Sequence, residues 1–277
     1  MTENFTYRTT ENEEIKFTLY QQDSFSQNPL IICVHGFKGF KDWGFWPFIG
    51  EYFSANGFSV VTLNFSHNGI EDNPFEISNY EKFANNTFSL EVNELKEIIH
   101  AAATGKINKI KPQKIGLLGH SRGGAESLLA AVNNSEITSI VTLSAIAKLD
   151  RFTKRQKAEW RKNKFWEVVN SRSGQIMKLN VTILEDIEKN KNGSLNLESA
   201  VRNLQKPYLI LHGTEDLTVP ISEAETIYSW SDKKLTEFIR VENCGHTFNI
   251  QHPFAETNEK FSFAMSKTLE FFNRTLK

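Results

Sequence analysis

The sequence predicts an α/β fold: one mostly parallel sheet of eight strands with helices on both faces, interrupted by a single helical insertion. Three observations carry this. Short, mostly apolar runs recur at 30–34, 58–63, 114–118, 139–145 and 207–211, as expected of strands covered on both faces. Helical stripes separate the first four runs, giving the order β-α-β-α-β-α-β of a parallel sheet with crossover connections. A length of 277 residues suffices for one large core with an insertion. The core is expected over 1–146 and 207–277, and the insertion over 147–206.

Taken in order, Phe5 to Thr9 and Ile15 to Tyr20 alternate in polarity around the turn Glu11-Asn12-Glu13, which predicts an antiparallel hairpin. The apolar run Leu30 to Val34 stops at His35-Gly36-Phe37. Trp46 to Ala55 reads as a helix that Gly57 ends. Phe58 to Leu63 forms the next strand and runs out into Asn64-Phe65-Ser66-His67-Asn68-Gly69. Phe88, Val92, Leu95, Ile99 and Ala102 share one stripe of a long helix. The strand Lys114 to Leu118 leads into a helix carrying Ala125, Leu128, Leu129 and Val132, and Ser139 to Ala145 is a further buried strand. From Ile146 to Lys206 the pattern turns charged and aromatic, as in an inserted lid. The sheet resumes at Pro207 to Leu211 and at Leu235 to Val241, and a helix bearing Phe261, Met265, Leu269 and Phe272 closes the chain.

Composition narrows the function. A formal net charge of -1 offers no attraction to nucleic acid or to an anionic membrane, so neither is expected as a partner. No apolar run approaches the roughly 18 residues of a membrane span, and the polar, mixed-charge start from Met1 to Tyr20 lacks the features of a signal peptide. A cytoplasmic protein is the expectation. Cys33 and Cys244 stand far apart, with no Cys-x-x-Cys or His-Glu-x-x-His pattern; they read as buried thiols, and no metal or other cofactor is expected.

Chemistry concentrates at Gly119-His120-Ser121-Arg122-Gly123, between an apolar strand and a helix. That is the strand–turn–helix context of a nucleophile elbow, which holds a serine clear of the backbone where a base can reach it. The pattern alone is weak, since chance supplies it in about one chain in ten of this length. A serine nucleophile also needs a base and an orienting acid. Both have candidates at strand C-terminal ends, where open parallel sheets place their sites. His212-Gly213-Thr214-Glu215-Asp216 follows one strand, and Glu242-Asn243-Cys244-Gly245-His246 follows the next. The order Ser121, Asp216, His246 assigns nucleophile, acid and base, with Glu215 and Glu242 as rival acids. His35 and His212, each preceding a glycine at a strand end, read as loop braces, and His120 as packed within the elbow.

These residues together resemble the α/β-hydrolase superfamily from Ile31 to the C-terminal helix. The resemblance rests on the His35-Gly36-Phe37 turn, the Gly119 to Gly124 elbow, the acid loop from His212 through Asp216 to Val219-Pro220, and Gly245-His246. Within the superfamily the chain is most similar to dienelactone-hydrolase-like and cinnamoyl-esterase-like acyl hydrolases, although dienelactone hydrolases proper carry cysteine where this chain has Ser121. The resemblance implies an α/β-hydrolase fold and an oxyanion hole made by the backbone amides of Phe37 and Arg122. It also implies a cofactor-free serine esterase acting on small carboxylic esters with short or aromatic acyl groups. Thioester or aminopeptidase-like cleavage on the same three residues is the alternative, and a non-catalytic binding protein on the same fold is a further one.

Two aromatic groups could form the substrate pocket: Phe37, Phe40, Trp43, Phe45 and Trp46 beside the first loop, and Phe152, Trp160, Phe165 and Trp166 in the insertion. Trp160, Trp166 and His67 are the pocket candidates, with core packing as the competing role. The basic run Arg151, Lys154, Arg155, Lys157, Arg161, Lys162 and Lys164 reads either as the solvated face of a helix or as recognition of an acidic group. The acyl ester is the expected partner, and a homodimer is left open.

Overall fold

Alternation along buried strands sets the architecture, because each strand must face apolar residues to both sides. The computed structural model describes residues 1–22, 27–71, 73, 76–107, 111–170 and 173–277. Eight strands make the main sheet: β1 (Thr2–Arg8), β2 (Glu14–Tyr20), β3 (Leu30–Val34), β4 (Ser59–Asn64), β5 (Ile115–His120), β6 (Ile137–Leu143), β9 (Tyr208–Gly213) and β10 (Thr236–Val241). Their order is β1-β2-β4-β3-β5-β6-β9-β10. β1 and β2 pair antiparallel, as does β2 with β4; every later pairing is parallel.

The helices are α1 (Trp46–Ala55), α2 (Tyr80–Ala84), α3 (Phe88–Ala103), α4 (Arg122–Ala131), α5 (Lys154–Asn163), α6 (Val181–Asn190), α7 (Leu197–Arg202), α8 (Ile221–Trp230) and α9 (Glu259–Leu276). On β3, Leu30, Ile32 and Val34 join one core cluster with α3, α4 and α8, while Ile31 and Cys33 join the other with α1 and α9. The predicted doubly covered sheet therefore follows from a two-residue alternation inside runs that look uniformly apolar. The thiols of Cys33 and Cys244 are both free and buried.

Between β6 and β9 the chain leaves the sheet. This segment, expected to be helical, holds α5, α6 and α7 but also an antiparallel hairpin of β7 (Phe165–Val169) and β8 (Ile176–Asn180). Met177 and Leu179 are buried while Ile176 and Lys178 are exposed, so a period-two pattern lies within text dominated by charge and aromatics. The basic run is largely the exposed side of α5 and its flanks. Four members pair locally: Arg155 with Glu159 at 3.0 Å, Arg161 with Glu188 at 2.6 Å, Arg151 with Glu223 at 2.7 Å, and Lys157 with Asp150. Among the described residues, no helix is long and apolar enough to cross a membrane.

Candidate active site

β5 ends at His120, and the chain turns at once into α4 through Ser121, whose backbone sits at φ 56°, ψ -118°. A non-glycine residue in that region is strained and persists only where its surroundings fix it. Two close approaches do so. A Cβ on Gly123 would lie 2.3 Å from the His35 carbonyl oxygen, and one on Gly119 would lie 2.4 Å from that of Gly123. Only glycine lets α4 approach β3 and β5 this closely, and the approach drives Ser121 out of the turn.

The three separated candidates meet there. His246 Nε2 lies 3.1 Å from Ser121 Oγ, and His246 Nδ1 lies 2.7 Å from Asp216 Oδ2. Asp216 is buried; burial opposes its charge, but contacts with His212 and His246 and the Val219 amide outweigh this and hold its carboxyl well below the usual aspartate range. An ionised carboxylate only accepts, so Nδ1 carries the proton and Nε2 is left to accept from the Ser121 hydroxyl. The other oxygen, Oδ1, accepts from the amides of Thr218 at 2.9 Å and Val219 at 2.8 Å. The rival Glu215 is exposed, as is Glu242.

Three other histidines brace this frame. His120 Nε2 donates to the His246 carbonyl at 3.0 Å; burial, with the neighbouring His246 adding to it, pushes the His120 ring down to about 3, so it stays neutral. His212 Nε2 donates to the Val219 carbonyl at 2.7 Å and lies 3.3 Å from Asp216 Oδ2. His35 Nδ1 donates to the Gly36 carbonyl at 2.9 Å, and burial lowers its affinity for a second proton.

Two hollows open on Ser121, and Phe37 borders both. One, of about 250 Å³, includes Lys38, Trp43, Asn170 and His246 in its wall. The other, of about 210 Å³, is almost wholly apolar, with Phe88, Leu149, Phe152, Leu179 and Ile183 around Ser121 and Arg122. The Lys38 ammonium donates to the Val169 carbonyl at 3.0 Å, tying the loop after β3 to the hairpin. A larger open hollow of about 700 Å³ lies elsewhere, between α4 and α7. Several of its amides are spent locally, as when Asn196 caps Ser199 and Asn134 accepts from Glu136.

The pocket residues expected from sequence need correction. Trp160 has no exposed surface and its ring packs on Phe152 at 4.8 Å, so it supports the wall from behind. Trp166 packs against the core, and His67 is engaged by the Ser66 hydroxyl at 2.7 Å. None of the three borders either hollow beside Ser121. Of the aromatics near the first loop, Phe37, Trp43 and Trp46 reach the 250 Å³ hollow, while Phe40 and Phe45 are buried in the core. Sequence reasoning missed Asn170, Leu149, Leu179 and Ile183. Only the alternation within β8 hinted at one of them, Leu179. Among the described residues, no group of three or more His, Cys, Asp or Glu side chains is arranged to hold a metal ion.

Residues 29–185 match the family described as alpha/beta hydrolase fold. No curated protein sequence matches the chain. Solved structures similar to it include ferulic acid-bound Est1E from Butyrivibrio proteoclasticus, at 18% identity and a TM-score of 0.74, covering 97% of this chain and 98% of that one. The esterase domain of a Rhodothermus marinus protein aligns at 17% identity and TM-score 0.64, covering both chains fully. A dienelactone hydrolase from Anabaena variabilis aligns at 13% identity and TM-score 0.64, covering 100% of this chain and 99% of that one. At such identities the likeness is one of fold.

Proposed function

The chain belongs to the α/β-hydrolase family, and on that premise we propose that it is a serine hydrolase cleaving small carboxylic esters, with Ser121, His246 and Asp216 as its catalytic residues. The observation that carries the reading is the hydrogen-bonded line from Ser121 Oγ through His246 to Asp216, at 3.1 and 2.7 Å. Ser121 Oγ attacks the acyl carbonyl carbon while His246 Nε2 takes its proton. The backbone amides of Phe37 and Arg122 hold the resulting oxyanion. Collapse breaks the ester bond, and the leaving alkoxide takes the proton from His246. Water, deprotonated by the same imidazole, then attacks the acyl-enzyme; the acid leaves and Ser121 recovers its proton.

The apolar hollow receives the acyl group and the more polar one the alcohol. An apolar cavity of about 150 Å³ accepts benzene, so about 210 Å³ supports a short or aromatic acyl group over a long lipid chain. Est1E, with ferulic acid bound, accords with an aromatic acyl. Residues 147–206 act as the lid: Leu149, Phe152, Val168, Leu179 and Ile183 in the acyl wall come from that segment. The test is labelling with a fluorophosphonate probe, which should modify the wild-type chain and not Ser121→Ala. A mutant that still labels would overturn the assignment.

A further inference from the structure

The first side chain of α4 is buried, charged and unused by the proposed chemistry. Arg122 is about 6% exposed. Its Nη2 lies 2.7 Å from a carboxylate oxygen of Glu91, on α3, and its Nε donates to Glu126 Oε1, one turn along α4, at 2.7 Å. Its guanidinium stands 3.9 Å from the centre of the Phe88 ring. Glu91 also accepts from Asn86 Nδ2 at 2.7 Å. The Arg122 Nε and Nη2 are directed away from the substrate hollows, at two side chains sealed from solvent and, for Nη2, also at the Asn86 carbonyl at 3.4 Å. Taking two acids and a guanidinium out of water is costly, and such a cluster needs nearly complete pairing to persist.

The backbone amide of the same residue is the proposed oxyanion donor. As a first-turn amide of a helix it has no acceptor within the helix, so it is free to point at an anion. A donor of this kind works only if held to within about 0.5 Å of its place. Ser121, just before it, is strained and held by the close packing of the elbow glycines; a clamp between α4 and the longer helix α3 adds a second hold at the residue that carries the amide.

We propose that Glu91 and Glu126 are positioning residues that, by gripping the Arg122 guanidinium from α3 and from the next turn of α4, fix the Arg122 amide in the oxyanion hole. The inference rests on the serine-hydrolase reading above. Proton placement within the cluster accords with it. Burial and the Glu91 charge push the Glu126 carboxyl well above the usual range. Burial opposes the Glu91 charge too, but Arg122 and a hydrogen bond from Glu126 outweigh it and hold Glu91 ionised. Glu91 Oε2 is the oxygen that faces Arg122 Nη2 at 2.7 Å, whereas Glu126 Oε2 is buried with no partner among the described residues, so Glu126 is the acid placed to hold a proton while Glu91 balances the guanidinium.

The test compares Glu91→Gln, Glu126→Leu and Glu126→Gln, with every rate expressed per fluorophosphonate-reactive site so that misfolded protein drops out. Glu91→Gln leaves the guanidinium without its counter-charge, and kcat on a small acyl ester should fall tenfold or more with KM within twofold. Affinity for a trifluoromethyl ketone, which forms a tetrahedral adduct on the serine, should fall by the same factor as kcat/KM. Full loss of an oxyanion donor costs about 10² to 10³ in kcat, which bounds the effect. Glu126→Leu keeps the ion pair and removes only the grip from within α4, so it is the variant to rely on if Glu91→Gln does not fold. It should lose kcat similarly, and Glu126→Gln, which can donate to Glu91 and accept from Arg122, should restore most of it. A rise in KM at constant kcat, rates per site within twofold of wild type in Glu126→Leu, or ketone affinity unchanged while kcat falls would each overturn the proposal. Wild-type chain that does not label would overturn both this and the serine-hydrolase reading, whereas labelled wild type with unaffected variants overturns this alone.

Discussion

Replacing Asp216 by asparagine changes one atom and should cost nearly all the activity, because the surroundings dictate which way the amide turns. Oδ1 accepts two backbone N–H groups, from Thr218 and Val219, at 2.9 and 2.8 Å. An NH2 group placed there would leave both donors, the Val219 amide buried, facing a third, at about 1–3 kcal/mol for a buried group left unmet. The asparagine oxygen therefore takes the Oδ1 position, and its NH2 faces His246 Nδ1, 2.7 Å from the atom it replaces. A donor at that point makes Nδ1 the acceptor and moves the imidazole proton to Nε2. Nε2 then cannot accept from Ser121 Oγ, 3.1 Å away. A triad histidine locked in the wrong tautomer loses about 10⁴ in kcat, or about 5 kcal/mol of transition-state stabilisation. The assay is kcat per fluorophosphonate-reactive site on a small aryl ester, with thermal melting to show that the fold is kept and nitrogen NMR of the imidazole to read the tautomer. A loss below a hundredfold, or a larger loss in Glu215→Gln, would refute the reasoning and move the orienting acid elsewhere.

Two further outcomes follow from the packing. Ile183→Phe adds a ring to the wall of the 210 Å³ hollow. Aryl-acyl turnover should fall at least tenfold, the scale of about 1–3 kcal/mol for crowding in an apolar pocket, while an acetyl ester keeps its rate; a panel of acyl lengths checks this, and equal losses across the panel would contradict the acyl assignment. Glu94 is buried against the Ser66 hydroxyl and lies 3.2 Å from the Ser66 amide. Burial outweighs those hydrogen bonds, and its carboxyl is pushed up to about 7 from an ordinary 4.5. Between those values the native chain holds a proton that the unfolded chain has released, so this group's contribution is greatest below pH 4.5 and declines as pH rises to 7, by on the order of 2 to 3 kcal/mol. Denaturant melts at pH 5 and pH 8 should show wild type losing more stability than Glu94→Gln across the interval; parallel losses would exclude Glu94 as the source.

The strands β3, β4, β5, β6 and β9 were legible because a parallel sheet covered on both faces leaves only small or neutral polar residues, such as Ser59, Thr62 and Thr142, among the apolar ones. The loops carrying Ser121, Asp216 and His246 were legible because each follows a strand directly, with glycine close by. The pocket was not. Leu149, Leu179 and Ile183 are aliphatic residues that a core needs as much as a binding site does, and sequence does not distinguish burial by a neighbour from burial by a ligand. Tryptophans drew notice by their size, yet Trp160 lies wholly inside. The hairpin in the insertion was hidden by the basic residues around it. Glu91 left a faint mark, an acid on the stripe of Phe88, Val92 and Leu95 where helical spacing calls for an apolar residue; reading it as a clamp needed Arg122 brought against it from another helix.

The hydrogen bond from Ser121 to His246 spans 125 residues of chain, and His246 lies just beyond β10, which pairs with β9 at the edge of the sheet. No fragment ending before residue 246 can make that bond. During synthesis the elbow can thus be complete while its hydroxyl remains an ordinary alcohol, and the serine gains its base only when the last strand and its loop have docked. On the proposed serine-hydrolase reading, reactivity at residue 121 is a clock set by the C-terminal edge of the sheet, and the time at which a nascent chain first captures an acyl group would date the closing of the fold.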